Sequence, residues 1–90
     1  HLLDVFAHTQ DPDTIYAILQ DLCTVREITE MSQRLEVARL LSEGASYLDI
    51  QEQTGASATT ISRVSKCLNY GSGGYGAALG MLCGSQDEER

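Results

Sequence analysis

The sequence predicts an all-α fold, and three features carry the prediction. Apolar residues recur at spacings of three and four along most of the chain. No stretch sustains the period-two alternation of a half-buried strand. Residues that cap helix starts stand in front of most of the apolar runs.

Taken in order, Leu2, Leu3, Val5 and Phe6 form a short apolar stretch that ends near His8. Asp11-Pro12 starts the next helix, with Asp11 placed to cap and Pro12 at the first helical position, where its missing N–H costs nothing. Ile15, Tyr16, Leu19, Leu22 and Cys23 then mark one face for burial. Thr24 and Glu27 have the spacing of a capping box, in which hydroxyl and carboxylate each satisfy the other residue's backbone N–H. That box opens the longest helix, with Ile28, Met31, Leu35, Val37, Ala38, Leu40 and Leu41 expected inward and Gly44 suited to the left-handed residue that ends it. Ser46 and Asp49 repeat the box spacing before a short helix to about Gln53. Gly55 breaks that helix, and Ser57 caps another over 58–68. The glycine-rich run 69–76 reads as a flexible joint, 77–83 as a last short helix and 86–90 as a frayed polar tail.

Composition bounds the function. Ninety residues with 13 Asp+Glu against 6 Lys+Arg make one small acidic domain of net charge −7. A chain of this length buries only ~60–65% of its unfolded surface, so a lone monomer is marginal. No apolar run nears the ~18 residues that cross a bilayer, and no signal-peptide pattern stands at the start, although the chain opens at His1 without a Met, which is compatible with residues upstream. Cys23, Cys67 and Cys83 form no C-x-x-C pair, and an odd, scattered set among apolar neighbours fits the reducing cytoplasm. The acidity is uneven: residues 1–24 carry Asp4, Asp11, Asp13 and Asp21 with no Lys or Arg, whereas over 44–70 Asp49 and Glu52 balance Arg63 and Lys66.

The most informative segment is 47–68: helix, turn Thr54-Gly55-Ala56-Ser57, helix. Gly55 supplies the positive φ that such a turn needs. Ile50, Ile61 and Val64 fall where two steeply crossing helices touch, and Ala56 and Ala58 keep the junction small. Gln51 departs from the small residue usual at its position in helix-turn-helix motifs. Ser57, Thr59, Thr60 and Ser62 crowd the start of the second helix, followed by Arg63 and Lys66. Short hydroxyl side chains there let a helix N-terminus approach phosphates and base edges closely. The expected duplex-DNA contacts are therefore Ser57, Ala58, Thr59 and Ser62 at base edges, with Thr60, Arg63 and Lys66 on or near phosphates.

Asp21-Leu22-Cys23-Thr24, Gln33-Arg34-Leu35-Glu36-Val37-Ala38, Thr54-Gly55-Ala56-Ser57 and Thr60-Ile61-Ser62-Arg63-Val64 occur in an order that resembles the Trp repressor-like family of the YerC/YecD type. The similarity covers most of the chain. It implies an intertwined helical homodimer, with 1–43 as dimerisation and core helices and 44–68 as the helix-turn-helix. It also implies a cytoplasmic, sequence-specific transcriptional regulator that reads two half-sites about one DNA turn, ~34 Å, apart. By the same resemblance, Arg34 and Arg63 match the arginines that flank the indole of bound tryptophan and are the expected ligand-binding residues of a small-molecule corepressor. The glycine that follows the second arginine there is Val64 here, and its branched side chain argues against tryptophan itself. A surface ion pair with Glu30 is the competing use of Arg34.

Other signals are weaker. The run 71–76 matches G-x-G-x-x-G literally, but that fingerprint works after a strand, and here a helix precedes it. Tyr70 and Tyr75 read as packing for the last helix, His1 and His8 as solvated side chains, and the three cysteines as small core residues. No cofactor, metal set or linked catalytic group is indicated, so an enzyme is not expected. The rival to DNA binding is a helical dimer with a protein-interaction role and no useful DNA affinity, which the charge of −7 supports.

Overall fold

The computed structural model describes the backbone of residues 1–88 and the side chains of residues 1–82. Among these residues lie six helices and no strand: α1 Leu2–His8, α2 Pro12–Leu22, α3 Val25–Ser42, α4 Tyr47–Thr54, α5 Ala58–Tyr70 and α6 Gly74–Glu88. The chain divides into two compact units, residues 1–31 and 32–90.

In the first unit the local signals form as expected. The Asp11 carboxylate accepts the N–H of Asp13 at 3.3 Å and the hydroxyl of Thr14 at 2.8 Å. Those bonds, the Thr14 hydroxyl foremost, stabilise the charged form and hold Asp11 below its ordinary pKa. Both halves of the Thr24–Glu27 box are made: the Thr24 N–H donates to Glu27 Oε1 at 2.8 Å, and the Glu27 N–H donates to Thr24 Oγ1 at 3.1 Å. Burial differs from the expectation. Neither α1 nor α2 contains a buried residue. On the face read for burial, Ile15, Leu19 and Cys23 are half-buried and Tyr16 and Leu22 exposed.

The second unit holds the core: Val37, Ala38 and Leu40 from α3, Ile50 from α4, Ala56 from the turn, Ile61 and Val64 from α5, and Leu79 from α6. The steep helix pair is thus sealed by the three aliphatics expected there, with Ile50 and Ile61 fully buried. Met31 and Leu35 differ from their inward assignment, at 41% and 37% exposed. At 3.6 residues per turn both lie about 100° or more around α3 from the centre of the Val37, Ala38, Leu40, Leu41 stripe. Gly44 and Gly55, at φ 85° and 76°, end α3 and α4. Ser46 accepts from the Asp49 N–H and Ser57 from the Thr60 N–H, each at 3.2 Å.

The glycine run is shorter as a joint than its composition suggests. α5 continues to Tyr70, and α6 starts at Gly74, where Gly73 takes φ 90° and its carbonyl accepts the Ala77 N–H at 2.9 Å. Glycine in a helix costs about 1 kcal/mol relative to alanine, and burial of Leu79 with packing of Tyr75 offsets it. The side chain of Cys83, expected in the core, lies outside the described residues, as do the side chains of the polar tail.

Candidate nucleic-acid interface and the cleft beside it

α5 presents two faces of opposite character. Ile61 and Val64 point into the core, and Leu68 packs partly against it. About 100° per residue puts Ala58, Thr59, Ser62, Arg63 and Lys66 together on the other side, and all five are exposed. The helix carries no acidic residue in its first turn, so its positive N-terminal end is not neutralised from within. Arg63 and Lys66 make no ion pair among the described residues, whereas Arg39 on α3 is held by Glu36 and by Glu43 at 2.7 Å. The Arg39 hydrogen bond holds Glu36 below its ordinary pKa, and the Glu36 hydrogen bond raises that of Arg39.

The remaining two residues of the expected interface do other work. Ser57 is the N-cap of α5, and its hydroxyl also donates to Thr60 Oγ1 at 3.1 Å. Of the two alanines expected at the inter-helix junction, Ala56 is buried there and Ala58 is exposed. Thr60 sits on the flank of α5, half-buried, and lines a cleft of about 230 Å³ with Arg34, Arg63, Val64, Cys67 and Tyr75. The two arginines expected to act together therefore meet at one cavity. Val64 forms its wall and is only 3% exposed.

Two cleft residues were not assigned to a site from sequence. Cys67, expected in the core, is exposed and lines this cleft and a second one of about 440 Å³, which Leu35, Gly71, Ser72, Gly74, Tyr75 and Ala78 complete. The signal was present, because Cys67 follows Thr60, Arg63 and Val64 at helical spacings of three and four. Tyr75 packs on the core as expected and turns part of its surface to both clefts. Among the described residues, no group of His, Cys, Asp and Glu could hold a metal, and no helix is long and apolar enough to cross a membrane.

A capped helix, a left-handed glycine turn and a second helix with an exposed polar face define a helix-turn-helix protein. Comparison with known proteins narrows the class. The family model described as Trp repressor protein matches residues 1–82, and the chain belongs to that family. It is 53% identical over 70 residues to the uncharacterised protein YerC of Bacillus subtilis (strain 168), an alignment that covers 78% of this chain and 67% of that protein. A TrpR-like protein from Eubacterium eligens ATCC 27750 superimposes with a TM-score of 0.85 at 47% identity, covering 90% of this chain and 84% of that one. A Staphylococcus aureus structure gives the same TM-score at 38% identity, covering 90% and 81%.

Proposed function

We propose that the chain is a sequence-specific DNA-binding transcriptional regulator that acts as a homodimer in the cytoplasm. The observation that carries the reading is the exposed face of α5, where small and hydroxyl side chains at 58, 59 and 62 lie beside two cations at 63 and 66. In this reading Ser57, Ala58, Thr59 and Ser62 meet base edges, Arg63 and Lys66 sit on phosphates, and Thr60 supports them from the flank. Membership of the Trp repressor family supports it. The dimer is supported by the first unit, whose helices α1 and α2 bury no residue of their own and leave Leu2, Leu3, Val5, Tyr16 and Leu22 exposed. Apolar surface of that extent on a small domain marks an interface.

Arg34 and Arg63 are proposed to bind the anionic group of a small-molecule corepressor in their shared cleft. Val64 stands where the Trp repressor has a glycine beside the indole, so tryptophan is not the proposed ligand. The test is enrichment from a pool of random duplexes at low salt, alone and with tryptophan or a panel of small carboxylates. The expected product is a near-palindrome, indifferent to tryptophan, with affinity falling at a slope of roughly −0.9 per phosphate neutralised. Arg63→Ala should weaken binding at every sequence and flatten that slope by about one, whereas Thr59→Ala should shift preference at one position. No enrichment in any arm would sink the reading and favour the protein-interaction dimer, for which the charge of −7 is the support.

A further inference from the structure

We propose that Gln33 is the positioning residue of the reading head, setting the angle at which α5 leaves the turn. Gln33 stands on α3 and donates from Nε2 to the backbone carbonyl of Thr54 at 3.0 Å, a partly buried bond that spans 21 positions of chain. Thr54 is the last residue of α4, so its carbonyl is one of the terminal acceptors left without a partner inside the helix.

The same residue is held from two other sides. Its hydroxyl donates to the Ile50 carbonyl at 2.7 Å and accepts the Ala56 N–H at 3.1 Å. The Gly55 N–H donates to the Gln51 carbonyl at 2.9 Å. The turn is thereby pinned within itself by Thr54 and pinned to α3 by Gln33. Ile50 and Ala56, with Ile61 and Val64 of α5 itself, add apolar contacts, but these are non-directional and tolerate small rotations. A hydrogen bond to a carbonyl is directional and tolerates them poorly.

The geometry magnifies any slack. At about 1.5 Å per residue along α5, Ser62 stands roughly 7 Å from the turn, so a rotation of about 10° there shifts it by about 1 Å. A shift of about 1 Å takes a short side chain out of hydrogen-bond range of a base edge, while the long, flexible side chains of Arg63 and Lys66 can still follow a phosphate. Loss of Gln33 should therefore damage discrimination between sequences more than it damages general affinity. The adjoining residue Arg34 lines the cleft, so the grip on the turn and the cleft wall come from consecutive residues of α3.

The consequence for DNA rests on the proposed function, and the experiment separates the two. Gln33→Met keeps the shape and removes the donor. Gln33→Glu turns a carboxylate oxygen toward a carbonyl oxygen, and Gln33→Lys restores a donor. Amide exchange at Ala56, by NMR on the free protein, should accelerate about tenfold in Gln33→Met and Gln33→Glu and return toward wild type in Gln33→Lys. The ratio of affinities for the enriched duplex and a scrambled one should fall about tenfold in the first two variants and recover in the third, with scrambled-duplex affinity unchanged in Gln33→Met. Unchanged exchange at Ala56 in Gln33→Met overturns the proposal, whatever DNA does. Equal losses on both duplexes, or no recovery in Gln33→Lys, also overturn it. Should wild type bind no duplex, the functional reading fails while the exchange comparison still decides the role of Gln33. If Gln33→Met does not fold, the Glu and Lys variants carry the same comparison.

Discussion

At Gly55 the backbone has φ 76°, and a Cβ built there would meet nothing within 4 Å. The whole cost of a side chain is therefore conformational. Gly55→Ala should lower stability by about 1–2 kcal/mol, read as a shift in urea midpoint with an unchanged slope. Asn in its place should cost less, because Asn visits the left-handed region more readily. Gly71 presents the opposite case: its φ is −83°, but a Cβ would collide with the Cys67 carbonyl. The first glycine was legible in the sequence, since a turn between two helical patterns demands positive φ. The second was not, because its constraint is a contact made only once α5 has reached Tyr70. The exposure of Cys67 was illegible for a related reason: periodicity tells which flank of α5 it occupies, but not that this flank opens on a cleft.

At the level of elements, the starts of α2 and α3 both answer to pH, and α3 shows how. The Thr24 N–H, and after it the Thr24 hydroxyl, hold the Glu27 carboxyl below its ordinary value of 4.5. A folded-state pKa below the unfolded one contributes stability that is present above about pH 4.5 and is lost as pH falls through the lower, folded value. Asp11 and Glu36 are shifted in the same direction, so acid weakens α2 and α3 together. Glu27→Gln keeps an acceptor for the Thr24 N–H but cannot titrate. Its urea midpoint should fall less than that of wild type between pH 6 and 3, and parallel curves would contradict the assignment. Capping boxes are legible because both partners sit within one turn of helix. The start of α6 is not, because local glycine preference is overridden by burial of Leu79, a contact with residues far away in sequence.

For the whole molecule, the unsettled quantity in the sequence was what covers the apolar face of α2. Spacing shows that Ile15, Tyr16, Leu19, Leu22 and Cys23 share a side; it does not say which chain provides the cover. Leu22 is 60% exposed and Tyr16 54%, and in the proposed dimer the second copy covers them. Sedimentation at micromolar concentration should give twice the 9.8 kDa chain mass, and the melting temperature should rise with protein concentration. A mass of one chain would count against the dimer. The charge of −7 divides unevenly along the same chain, and residues 44–70, which hold the helix-turn-helix, are neutral. Under the proposed function, attraction to DNA is therefore local, carried by Arg63 and Lys66, and binding is expected to be modest and salt-sensitive.

In the proposed reading of DNA, the cap of α5 also limits what Ser57 offers a base. A serine hydroxyl has one proton to give and two lone pairs to receive with. At Ser57 the proton is directed at Thr60 Oγ1, and one lone pair already takes the Thr60 N–H. With the proton so directed a single lone pair is left over, which suits Ser57 to a group that brings its own hydrogen. Adenine and cytosine offer such an amino group in the major groove; the O6 and N7 edge of guanine does not.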